Sequence, residues 1–227
     1  MGVLDDLITF FRAGGWVMYP LLALSVISVT LSVERSAFWA RTNSRRNRYR
    51  LSRLTAKLRA GDLPAAVAIA ERGGAIQFRY AAALLDHASR PGTDAAKIEP
   101  AAMELIEDAR PAVERFGVVL STIITAAPLL GILGTVTGII QSFRLLGGAE
   151  TVTDPAAVAA GIAQALYTTA FGLIVALVTL FPYVIFRTHS DRMLSRLETI
   201  AAATAEALPR PGAHTPSLAK PDTRATA

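Results

Sequence analysis

Cysteine is absent from the 227 residues, so disulfides, thiolate chemistry and Cys-ligated zinc have no part in this protein. Histidine occurs only as His87, His189 and His214, too scattered for metal-ligand spacing. No segment alternates apolar and polar residues over the length of a strand, so no sheet is expected. No nucleophile–base pair is apparent, and no enzyme, cofactor or metal site is expected. The most informative absence is that of charge. Asp, Glu, His, Lys and Arg are all missing from Ala13–Val33, Phe116–Phe143 and Pro155–Phe186. Each stretch reaches the roughly 20 apolar residues that cross a bilayer. None holds a group able to titrate near neutral pH. If the protein moves protons, another chain must bring the titrating group.

The rest of the composition agrees with a membrane protein. Hydrophobic residues make up 52% of the chain, charged residues 18%, and the mean hydropathy is +0.40. The start, Met-Gly-Val-Leu-Asp-Asp, lacks the basic region of a signal peptide, so the first span is expected to be retained. Leu4, Leu7, Ile8 and Phe11 fall at helical spacing and predict an amphipathic segment on the outer face, residues 1–12. Trp16 and Tyr19 sit where an aromatic belt would anchor the span.

Charge also sets the orientation. Arg35, Arg41, Arg45, Arg46, Arg48, Arg50 and Arg53 follow the first span, and Arg187, Arg192 and Arg196 follow the third. The short loop between the second and third spans has Glu150 and Asp154 and, from Leu145 to Asp154, no base. The positive-inside rule then puts the N-terminus outside and the C-terminus in the cytoplasm. The expected organisation is a first transmembrane helix over 13–34, a cytoplasmic helical domain over 35–115 and a second span over 116–144. A periplasmic loop follows over 145–154, then a third span over 155–186, a cytoplasmic helix over 187–208 and a disordered tail over 209–227. The fold class is an all-α membrane protein, with spans two and three extended into the cytoplasm.

Within the cytoplasmic segment, Arg50–Arg59 reads as helix, Asp62 as the N-cap of a helix over Ala65–Arg72, and Gly73-Gly74 as its stop. Ile76–Ala88 forms another helix, and Asp94 caps a long one from about Ala95 that Pro111 is expected to kink. Met193, Leu194, Leu197 and Ile200 share one face after the third span. The arginine run with Tyr49 inside it is read as a topology determinant and contact for anionic lipid, not as a nucleic-acid patch.

The second and third spans are striped. Ser121, Thr125, Pro128, Gly131, Thr135, Gly138 and Ser142 recur at intervals of three and four, and Gly134 forms a small-xxx-small pair with Gly138. Gly161, Ala165, Thr168, Thr169, Gly172, Ala176 and Thr179 form a similar arc, with Gln164 at its edge. Small residues of this kind pack membrane helices, and hydroxyls line wet seams. Spacing alone leaves both readings open, and one wall can serve both ends. Glu114 and Arg115, just before the second span, are a candidate ion pair at its inner mouth.

Two of these segments match known motifs. Ala127-Pro-Leu-Leu-Gly-Ile-Leu-Gly-Thr-Val-Thr-Gly-Ile-Ile-Gln-Ser-Phe143 closely resembles the second-span signature of the MotA/TolQ/ExbB proton-channel family. Gly161-Ile-Ala-Gln-Ala-Leu-Tyr-Thr-Thr-Ala-Phe-Gly-Leu173 resembles its third-span signature. The resemblance covers roughly Gly15–Arg187, and three spans look like the ExbB/TolQ branch. It implies a bacterial inner-membrane homopentamer around the single spans of two partner chains of the ExbD/TolR type, each with an intramembrane Asp that titrates. A TonB-like or TolA-like force transducer would complete the system. By motif position Thr135 and Thr169 match the threonines assigned to the proton path, with Thr168 and Gln164 beside them. Some members have a glutamate where this chain has Gln164, and an amide cannot cycle a proton. Gln164 is read instead as a hydrogen-bonding wall residue. An ExbB-like motor energising TonB-dependent transport is expected first, a TolQ-like envelope-integrity subunit second, and a non-conducting scaffold third.

Overall fold

The computed structural model describes Gly2, residues 14–147 and residues 155–208. The expected amphipathic segment, residues 148–154 of the loop between the second and third spans and the tail from 209 lie outside the described residues. Among the described residues the secondary structure is helical throughout: α1 (Met18–Thr42), α2 (Arg45–Arg59), α3 (Leu63–Glu71), α4 (Ile76–Ala88), α5 (Ala95–Val113), α6 (Gly117–Gly147) and α7 (Pro155–Glu206). Three of them, α1, α6 and α7, are long and apolar enough to cross a membrane. The chain divides into two units, one of Met1–Arg41 with Glu114–Arg192, the other of Thr42–Val113 with Met193–Ala227.

In the first unit α1, α6 and α7 share a small apolar core. Val17, Met18 and Leu21 of α1 and its approach meet Ile123 and Ala127 of α6 and Val175 and Ala176 of α7. Most large apolar side chains point the other way. Val118, Leu129, Phe143 and Phe181 are all more than half exposed, as expected of helices that face lipid or neighbouring chains. Pro20 lies in the first turn of α1, where its missing N–H leaves no helical bond unmade. At about 1.5 Å per residue, the 52 residues of α7 span on the order of 78 Å, far more than the apolar thickness of a bilayer.

The second unit is built from short, capped helices. Ser44 caps α2 by accepting from the Asn47 N–H, and Asp94 caps α5 by accepting from the Lys97 N–H at 3.1 Å. Asp62 caps α3, accepting from the Ala65 N–H at 3.2 Å, while Lys57 donates to its other oxygen at 2.8 Å. Gly61, at φ 71°, makes the tight turn before it. The helices pack in series, α2 on α3, α3 on α4 and α4 on α5. Leu54, Leu58, Phe78, Leu84 and Ile98 are fully buried, as are Met193, Leu197 and Ile200 from the end of α7.

The prolines do not end α5. It runs through both Pro100 and Pro111 to Val113, and the break falls at Phe116, the one described non-glycine residue with positive φ, at 66°. A proline removes one hydrogen bond and a helix tolerates that loss, whereas a left-handed residue reverses the backbone and cannot be continued.

The lysine bond, and after it the Ala65 N–H, hold the Asp62 carboxyl below its ordinary value of 3.8. A depressed carboxyl stabilises the fold above that ordinary value, and the contribution disappears as the pH falls through and below it. Asp62→Ala is therefore expected to lower the thermal midpoint at pH 7, with the gap to the parent protein closing in acid. Circular dichroism melts across that range measure it. A gap that persists unchanged in acid would leave the charge without a role.

Candidate functional site

The striped faces of α6 and α7 meet as an antiparallel hairpin in fixed register. Gly172 faces Ala127, Thr169 faces Gly131, Thr168 faces Gly134, Ala165 faces Gly138, and Gly161 faces Ser142. The approach is close enough to exclude side chains at several of these points. A Cβ on Gly131 would lie 2.9 Å from the Thr169 Cα, and one on Gly172 would lie 2.5 Å from the Ala127 carbonyl oxygen. Thr168 is 1% exposed and sealed against Gly134, where its hydroxyl donates to the Ala165 carbonyl at 2.8 Å. Pro128 is half-buried on the same helix as these glycines.

Two of the stripes' threonines bracket one turn of α6. The Thr169 hydroxyl crosses from α7 to donate to the Gly131 carbonyl at 2.8 Å. Thr135 lies one turn along α6 from Gly131, half-buried, and donates to the Ile132 carbonyl at 2.6 Å. Both hydroxyl protons are thus committed to backbone oxygens, and what each threonine retains is its acceptor lone pairs. Gln164, also half-buried, places its amide against Gly15, where the chain enters α1.

A second polar contact holds the same unit together. Ser28 of α1 and Thr179 of α7 share a hydrogen bond of 2.6 Å with both residues buried, so Thr179 faces α1. Nothing local marks Ser28 as its partner, since the pair are 151 residues apart.

At one end of these helices lies a cavity of about 290 Å³. Glu114 and Arg115 both line it, with Arg35, Arg187 and Asp191 adding charge and Ser121 and Tyr183 adding hydroxyls. Arg115 lays its guanidinium 4.5 Å over the Phe116 ring, and Arg187 donates to the Tyr183 hydroxyl at 3.2 Å. Arg35, 2% exposed, lies 4.5 Å over the Phe38 ring and 5.4 Å from that of Trp39. In the sequence Arg35 stands only as one of the topology charges. The Phe38-Trp39 pair one turn along the same helix was the signal for its burial.

The MotA/TolQ/ExbB proton channel family matches residues 74–199, which include every facing pair of the hairpin from Ala127–Gly172 to Ser142–Gly161. The chain belongs to that family. It is also 34% identical over 82% of its length, and 87% of the relative's, to a Synechocystis protein named for biopolymer transport as ExbB-like 3. A second Synechocystis protein, ExbB-like 1, is 36% identical over 86% of this chain and 75% of its own. The Tol-Pal system protein TolQ of Pseudomonas aeruginosa is 40% identical over 36% of this chain and 35% of its own length. As a member of the MotA/TolQ/ExbB family with three apolar spanning helices, the protein is a multi-pass inner-membrane subunit of the proton-channel, biopolymer-transport type.

Proposed function

We propose that this chain is the multimeric channel and stator subunit of a motor driven by the proton-motive force, in an ExbB-like system that energises TonB-dependent outer-membrane transport. One observation carries the reading: α6 and α7 form a hydroxyl-bearing seam around Gly131 within stretches that contain no ionisable acid or base. Copies of the chain, five by analogy with the family, would surround the single spans of an ExbD-like partner present as two chains. That partner would carry the carboxylate, and Thr135 and Thr169 would supply acceptors along its route, with Thr168 and Gln164 packing behind them. Confining the charge to one partner residue fits the cost of a mid-membrane Asp, about 2.5–3.5 kcal/mol on the insertion scale. The cavity with Glu114 and Arg115 would be the inner mouth. The extended similarity to ExbB-like relatives favours this system, while the shorter TolQ match keeps a Tol-Pal role, with TolR-like and TolA-like partners, as the second reading.

Reconstitution separates the roles. The purified assembly alone in liposomes is expected to pass protons little above background. The partner is expected to stabilise it, and replacing the partner's Asp by Asn to stop coupled work. Robust proton-selective flux through this chain alone would overturn the division of labour. Full coupled activity with Thr135 and Thr169 both changed to Val would favour a scaffold.

Orientation follows from the arginine asymmetry around the spans. Reporters fused after Arg53 or at Leu208 are expected to read cytoplasmic, and one inserted at Gly148 periplasmic. An inverted pattern would remove residues 35–115 from the cytoplasm.

A further inference from the structure

The serial stack of α2, α3, α4 and α5 ends in two helices of opposite charge. α2 has Lys or Arg at seven of its 15 positions and no acid. Its exposed face presents Arg45, Arg46, Arg53 and, among them, Tyr49 at 67% exposure. α5 carries Glu99, Glu104, Glu107 and Asp108 against only Lys97 and Arg110, and Arg110 is tied to Glu107 of its own helix at 2.8 Å. The exposed face of α5 sets Met103, also at 67%, among those four acids. Each end therefore shows one bare apolar side chain ringed by charge, basic at one end and acidic at the other.

We propose that the basic face of α2, centred on Tyr49, docks on the acidic face of α5, centred on Met103, of a second copy of this chain. The proposal rests on the reading that the chain self-assembles and names the surfaces that do it. Exposed ion pairs alone are worth little, but here they flank an aromatic and a thioether that attract one another and shed water together. Where the two faces of one copy engage two different neighbours, the contact is head-to-tail, the type of interface that can close into rings. An anionic lipid headgroup would suit α2 equally well. It would leave the acidic face of α5 and its exposed Met103 without a role.

The absence of cysteine makes the test clean. The full chain with Tyr49→Cys and Met103→Cys together, treated in membranes with a short bis-maleimide, is expected to give a ladder of covalent oligomers. Either substitution alone is expected to give none. Arg46→Glu with Arg53→Glu should abolish the ladder, and adding Glu104→Arg with Asp108→Arg to the same chain should restore it. Failure of that restoration would overturn the proposal, as would a dimer from Tyr49→Cys alone. A complex that native mass spectrometry finds assembled, yet that gives no ladder, would overturn this interface and leave self-assembly standing. A chain found monomeric would overturn both. Contact between a probe on Tyr49→Cys and brominated phosphatidylglycerol, without a ladder, would assign the face to lipid.

Discussion

Alanine at Gly172 is expected to destroy the hairpin. The added methyl would stand 2.5 Å from the Ala127 carbonyl oxygen and 3.2 Å from the Gly131 Cα. Both are backbone atoms of α6, so no rotamer change relieves the clash, and the two helices must separate. Overpacking costs on the order of 1–3 kcal/mol where side chains can adjust. Here the register from Gly172–Ala127 to Gly161–Ser142 shifts as a block, so the loss should lie at or beyond the upper end. Folded yield in detergent and thermal midpoint should both fall sharply. Gly117→Ala is the matched control, because no atom lies within 4 Å of its Cβ position. Equal behaviour of the two variants would show that the close approach at Gly172 contributes nothing to stability.

Thr169→Val should do the reverse, sparing the fold while removing function. Valine keeps the shape of threonine but loses the hydroxyl that reaches the Gly131 carbonyl at 2.8 Å. Interhelical bonds of this kind average about 0.6 kcal/mol, so assembly should survive. Motor output is expected to fall about tenfold or more, which corresponds to ~1.4 kcal/mol on the limiting step. That gap between a small stability change and a large activity change is the signature of a wall residue. Thr135→Val should act in the same direction. Thr179→Val should affect output less, since its hydroxyl is engaged with Ser28. Full output from the Thr169 variant at normal protein level would argue for a scaffold.

What the sequence made legible follows from the physics of each signal. Three apolar helices could be read because burial in lipid forbids charge over a whole span, a signal twenty residues long. The Asp62 cap could be read because a side-chain acceptor three residues before an N–H is a local pattern. The facing stripes were visible, but their register was not. Nothing in a one-dimensional pattern of small residues says that Thr169 meets Gly131 and Thr168 meets Gly134. A kink at Pro111 is legible because proline announces itself, whereas the left-handed turn at Phe116 has no propensity behind it. α2 starts at Arg45, five residues before the helix that the sequence suggests from Arg50, because Ser44 caps it there.

The direction of two hydroxyl protons has a consequence for timing. Thr135 and Thr169 both donate to backbone carbonyls, so in the proposed role these two hydroxyls would offer a visitor lone pairs rather than hydrogens. A neutral carboxylic acid arriving there finds somewhere to place its proton. On that reading a carboxylate would meet the lone pairs of both threonines, unless one of them first abandoned its carbonyl. The seam would thus act as a latch that holds the loaded form of a carboxyl and ejects the empty one. Loss of the proton itself would be the release signal, and a ring of such latches would advance one position with each discharge.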